Sequence, residues 1–87
     1  MYTIVFSKRF VALSRKLSQK LKLKLKENFD LLSRNPFHPS LHTKPLTGKL
    51  AGFYSFRLGR DYRVIFHFID NDTIMLIRVM PRGKVYK

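Results

Sequence analysis

The chain contains no cysteine and no tryptophan, and only five of its 87 residues are acidic, one Glu and four Asp. Without thiols there are no disulfide staples, no thiolate zinc site and no cysteine nucleophile. The few acids fall in a helical stretch and in turns, so they do not offer the converging carboxylates that two-metal phosphodiester hydrolysis requires. No stretch approaches ~18 consecutive apolar residues, and nothing reads as a membrane span. The opening MYTIVFSKRF has a short apolar run with no charge before it, unlike a secretory signal. Gly-rich nucleotide loops, repeats, linkers and low-complexity segments are also missing. The expectation is a soluble cytoplasmic protein, one domain over residues 1–87, with neither metal nor cofactor.

What the chain does have is positive charge. Eighteen Lys and Arg leave a formal net charge of +13 and a pI near 10.7. Such a surface repels its own copies and attracts anions. Nucleic acid is the first candidate partner, an anionic membrane the second and an acidic protein the third.

Tyr2 to Phe6 is β-branched and aromatic and reads as a short strand, with Ser7 placed to cap a following helix. From Ser7 to Arg34 there is neither Gly nor Pro. Phe10, Leu13 and Leu17 form one helical stripe, and Leu21, Leu25, Phe29 and Leu32 form another. The segment KLKLKLK at residues 20–26 alternates like a half-buried strand, but alternation stops at Lys26 while the helical period continues through Leu32. Helix is therefore the reading, as a hairpin of two helices broken near Ser18. Leu23 is the exception, about 200° around the helix from Leu21 and among lysines. A membrane-lytic helix would gather its leucines on one side, which this spacing does not do. Asn35-Pro36 ends the second helix.

Three strands follow, roughly Gly48–Leu58, Tyr62–Ile69 and Thr73–Met80, joined by turns at Gly59-Arg60-Asp61 and Asp70-Asn71-Asp72. The order β-α-α-β-β-β predicts an α+β fold, a small antiparallel sheet with a two-helix hairpin on one face. A three-residue loop at Gly59 pairs Leu58 with Tyr62, Phe56 with Val64 and Tyr54 with Phe66, giving an apolar face. Arg57 then lies opposite Arg63 on the other face. In the last strand Met75, Ile77 and Val79 suit the apolar side, leaving Arg78, and by parity Arg82, with the arginines. Two guanidinium groups ~5 Å apart at an effective dielectric of about 20 repel by ~3 kcal/mol before splaying and hydration. An arginine face that accepts this cost points to an anion. The histidines are weaker signals. His67 falls mid-strand, and His38 and His42 sit in a Pro-rich loop at a spacing that is a poor zinc site without a helix or carboxylate.

One reaction suits a basic site poor in carboxylates. In RNA the 2′-hydroxyl is an internal nucleophile beside its own phosphate. The protein need only align it, stabilise the charge on the phosphoryl oxygens and move protons. Arginine binds phosphate through its planar fork and stays charged, and a tyrosine such as Tyr86 could move protons if nearby cations lowered its pKa.

The run KPLTGKLAGFYSFRLGRDYRVIF (44–66) and the later IRVMPRGKVY (77–86) resemble the RelE/ParE toxin superfamily, nearest to its RelE-type branch. The resemblance covers essentially the whole chain. It implies the toxin of a type II toxin–antitoxin pair, an endoribonuclease that cuts mRNA in the ribosomal A site by the 2′-hydroxyl route and so inhibits translation. It implies a cognate antitoxin, mRNA and ribosomal RNA as partners. Residue by residue, Arg57 matches a Lys or Arg of the family's basic face, Arg63 an arginine that contacts the scissile phosphate, and Arg82 the arginine that stabilises the transition state. Tyr86 matches a C-terminal tyrosine associated with catalysis or base stacking. Arg78, Lys84, Lys49 and Lys44 are expected to contact RNA. Ser55 stands where some relatives carry a catalytic Lys, Pro81 where His is frequent and Lys84 where Glu is frequent. Tyr86 is thus left without an obvious general-base companion, with His67 as a substitute. The alternatives are a ParE-like inhibitor of DNA gyrase and a catalytically inactive domain that binds RNA or antitoxin.

Overall fold

A computed structural model describes residues 1–85. Strand β1 (Thr3–Phe6) leads into helix α1 (Lys8–Ser14), and helix α2 (Gln19–Arg34) follows after a short break. The break forms because Ser18 begins a new helix. Its extended backbone (φ −61°, ψ 159°) lets its hydroxyl accept from the Leu21 amide at 3.2 Å. Asn35 ends α2 in extended conformation (φ −156°, ψ 99°), as the following Pro36 requires. The stripe assigned to α2 holds: Leu25 and Leu32 are buried, while Leu23 is 57% exposed.

The remainder builds the sheet. A two-residue strand β2 (Lys44–Pro45) is followed by β3 (Tyr54–Leu58), β4 (Tyr62–Phe68), β5 (Thr73–Pro81) and a last helical turn, α3 (Arg82–Val85). The order across the sheet is β1-β5-β4-β3-β2. The α+β class and element order match the sequence-based expectation, and the β3–β4 register matches pair for pair, Arg57 opposite Arg63 included. Gly59 makes that hairpin possible, at φ +63° with the Leu21 Cδ2 only 3.1 Å from where a Cβ would stand. Two pairings go beyond the expectation. β1 joins β5 in parallel, with Thr3 beside Thr73 and Phe6 beside Leu76, and β2 lies on β3 at the opposite edge. The first of the three expected strands is also shorter than drawn, because Gly48–Leu50 forms a 3-10 turn.

Phe10 from α1, Leu25 and Leu32 from α2, Leu41, and Phe56, Leu58, Val64, Phe66, Ile74, Leu76 and Val79 from the sheet make the core between the helices and one sheet face. Here the sequence reading needs a correction. Ile65 faces Arg78, but Phe66 faces Leu76, so Ile77 is the extra residue of a β-bulge. The bulge reverses the alternation, and Ile74 and Leu76 enter the core in place of Met75 and Ile77. Ile77 instead joins Leu46, Ile65, Phe53 and Met80 in a small cluster on the other face. The bulge is anchored by Ser7. Its hydroxyl donates to the Ile77 carbonyl at 2.8 Å and accepts from the Phe10 amide at 3.0 Å, so one side chain both caps α1 and fixes β5.

Candidate functional site

The hairpin brings Arg57 and Arg63 together as cross-strand partners, with Met80 beyond Arg63 on β5. The two arginines do not stand alike. Arg57 is exposed, whereas Arg63 keeps only 8% of its surface open. The Arg63 guanidinium donates through Nη1 to the Tyr62 carbonyl at 2.9 Å. Arg63, expected to contact the scissile phosphate, is thus largely buried, its guanidinium held on the backbone.

Arg57 opens instead into a cleft of about 510 Å³ lined also by Lys24, Asn28, Ser40, His42, Gly59, Arg60 and Arg82. α2, the Pro-rich loop, the β3–β4 turn and the start of α3 form its walls. Arg82 is set there by its own amide, which donates to the Asp61 carbonyl at 2.8 Å and ties the end of β5 to that turn. Asn28, buried on α2, donates through Nδ2 to the Arg57 carbonyl at 3.3 Å and fixes the helix against the strand that carries Arg57. Among the described residues four cations line the cleft and no carboxylate does. Among the described residues the one side-chain ion pair is Arg34 with Asp30 at 3.5 Å, on α2. Converging guanidinium groups without internal counter-charge favour a phosphate at this end of the sheet.

The other expected contacts lie elsewhere. Lys49, Arg78 and Lys84 rim a second groove, of about 340 Å³, over Leu50, Phe53, Ile65, Ile77 and Met80 on the sheet face away from the helices. Lys44 is exposed on the edge strand β2, opposite Ser55. The single arginine face read from alternation is thus two basic surfaces: Arg78 stays on the face away from the helices, opposite Ile65, while Arg57 and Arg82 line the cleft. Tyr86 lies outside the described residues. His67 does not line the cleft. Its ring packs 5.1 Å from that of Phe53, and it is four residues, about 13 Å, along β4 from Arg63. Among the described residues no group of three His, Asp or Glu side chains is arranged to hold a metal ion, and no helix is long and apolar enough to cross a membrane.

Sequence reasoning overlooked Lys24, Asn28, His42 and Arg60 as lining residues. A signal existed for two of them. Lys24 and Asn28 are four apart on α2, flanking the buried Leu25, and so share one side of the helix.

Residues 4–86 match the profile of the ParE toxin of type II toxin–antitoxin systems. The chain belongs to this family, within the RelE/ParE toxin superfamily. Solved structures agree. The RelBE2 toxin–antitoxin complex from Mycobacterium tuberculosis contains a chain 32% identical, with TM-score 0.78, over 93% of this chain and 98% of that one. The archaeal RelE–RelB complex from Pyrococcus horikoshii OT3 aligns at 27% identity and TM-score 0.79, over 95% and 97%. A YoeB/ParE toxin from Agrobacterium tumefaciens shares the fold at 17% identity and TM-score 0.79, over 92% and 98%. No curated protein matches the chain.

Proposed function

We propose that this toxin is an endoribonuclease that cuts mRNA in the ribosomal A site by metal-free attack of the 2′-hydroxyl on its neighbouring phosphate. The observation that carries this reading is the cleft in which Arg57, Arg60, Arg82 and Lys24 converge with no carboxylate among them. Phosphoryl transfer of this kind asks for positioning and for stabilisation of charge on the phosphoryl oxygens. Arg57 and Arg82 are the groups for the exposed oxygens, and Arg63 supports them from beneath. Lysines on the outer side of α2 add the unspecific attraction that a ribosomal RNA surface would use.

The groove between Lys49, Arg78 and Lys84 fits an antitoxin segment with apolar side chains for its floor and acidic ones for its rim. Similar chains are found in complexes named as toxin with antitoxin, from Mycobacterium tuberculosis and Methanococcus jannaschii.

The test is a reconstituted translation reaction with primer extension on the message. Wild type is expected to leave cuts within the A-site codon, and Arg82→Ala to abolish them while melting like wild type. A message left intact by the wild-type toxin would refute the reading. A second reading, inhibition of DNA gyrase, is favoured by the ParE description of the family and by Ser55, a hydroxyl where a catalytic Lys occurs in some relatives. It predicts gyrase-dependent DNA breaks alongside an uncut message.

A further inference from the structure

The three histidines differ in what holds them. His38 accepts the Ser40 amide on Nδ1 at 3.1 Å and caps the 3-10 turn Pro39–Leu41. His67 packs on Phe53 at the far end of β4. His42 has neither kind of engagement. It is exposed, its ring has no hydrogen-bond partner among the described residues, and it lines the cationic cleft with Arg57, Arg60, Arg82 and Lys24.

Its backbone is unusual as well. His42 is the one non-glycine residue with positive φ among those described (φ 50°, ψ 44°), in the left-handed region where, Gly aside, Asn, Asp and His are the residues most often found, and it closes the 3-10 turn Pro39–Leu41. The immediate neighbours on both sides are otherwise committed. Leu41 is fully buried, and the Thr43 hydroxyl donates to the Pro36 carbonyl at 2.6 Å. The loop is thus pinned on either side of a histidine held at the cleft.

Given the ribonuclease reading above, we infer that His42 is the general base of the cleavage. The neutral imidazole takes the proton of the 2′-hydroxyl as that oxygen bonds to phosphorus. The bond from phosphorus to the 5′-oxygen breaks, and the departing oxygen takes a proton from water. The products are a 2′,3′-cyclic phosphate and a 5′-hydroxyl, and the imidazolium returns its proton to solvent. Nothing is oxidised or reduced. A neutral imidazole offers one ring nitrogen as a proton acceptor, which a base in this role needs. The charged groups that line the cleft with it are all basic among the described residues: Lys24 from α2, Arg57 from β3, Arg60 from the turn and Arg82 from the start of α3, with Lys44 two residues further along. Among the described residues no carboxylate lines the cleft to take the role instead.

The test uses His42→Asn, which suits the left-handed backbone and cannot accept the proton, and His42→Gly, which leaves room for free imidazole. Single-turnover cleavage of programmed ribosomes is followed across pH 5.5 to 9. His42→Asn is expected to melt like wild type, to cut ~100- to 10,000-fold more slowly with little change in KM, and to lack the rise in rate with pH expected of wild type. Added imidazole is expected to restore part of the rate to His42→Gly. Cleavage by His42→Asn within threefold of wild type, or a slowed variant that keeps the wild-type pH profile without imidazole rescue in His42→Gly, overturns the role of His42 and leaves the ribonuclease reading standing. An intact message with the wild-type toxin overturns both.

Discussion

Arg57 and Arg63 face each other across β3 and β4, and only one of them can move away. Arg63 is held on the Tyr62 carbonyl with 8% of its surface open, so relief of the repulsion falls to Arg57. At a charge separation of ~6 Å the repulsion is about 3 kcal/mol at an effective dielectric of ~20, and about 0.7 kcal/mol at that of bulk water. With one partner buried and one exposed, about 1 kcal/mol is the reasonable value at low salt. Arg57→Gln removes the charge, keeps a long polar side chain and leaves the backbone carbonyl that Asn28 holds. The variant is expected to be more stable than wild type by about 1 kcal/mol in 10 mM salt. For a domain of this size that is a rise of about 4–8 °C in Tm, or about 0.5–1 M in the urea midpoint. Urea is the denaturant to use, because guanidinium chloride would screen the effect under study. In 1 M salt the screening length falls from about 30 Å to about 3 Å, and the gain should nearly vanish. A stability equal to or below wild type at low salt, or a gain unchanged at high salt, would show that the paired guanidinium groups cost nothing. The same variant should cut message more weakly, a trade of function for stability at a single position.

Ser7→Ala removes both the α1 cap and the hydroxyl bond to the bulge, and is expected to cost about 1–3 kcal/mol in chemical denaturation; a loss under ~0.5 kcal/mol would contradict the double role. Leu25→Ala should cost about 2–5 kcal/mol and Leu23→Ala less than about 0.5 kcal/mol, so that similar losses from both would refute the helical placement of the KLKLKLK segment. Asp70 accepts the Asp72 amide at 2.8 Å, and this bond, with those to Thr73, holds its carboxyl below its ordinary value of 3.8. A depressed carboxyl favours the fold above the unfolded pKa and loses that contribution as pH falls through the folded one. An NMR titration of Asp70 should therefore give a midpoint under 3.8, whereas one at or above it would mean the turn does not bind the charge.

Much of the fold was legible because its signals are local. The Gly59 turn sets the register of β3 on β4, and Leu21, Leu25 and Leu32 carry the helical period past the misleading alternation of KLKLKLK. The bulge was not legible. In the stretch from Met75 to Met80 every residue but Arg78 is apolar, so either parity reads as a strand, and the choice is made by contacts with Ser7 and the α1 cap far away in sequence. The pairing of β1 with β5 was hidden for a similar reason, since a short apolar strand does not name its partner. The arginines were found as a group, but Arg82 leaves the sheet at the start of α3, its amide bonded to the Asp61 carbonyl, and lines the cleft with Arg57 while Arg78 rims the second groove. Asn28 and His42 went unread as site residues, because a buried polar contact and a left-handed backbone are properties of packing rather than of pattern.

The parallel seam between Thr3–Phe6 and Thr73–Leu76 spans seventy positions of chain. During synthesis the first strand must wait without its partner β5, and the Ser7 hydroxyl without its Ile77 acceptor, until nearly all the remaining strands have been made. An incomplete copy of the chain would have no finished sheet on which to hold its guanidinium groups, so the cationic cleft exists only once the chain is nearly whole.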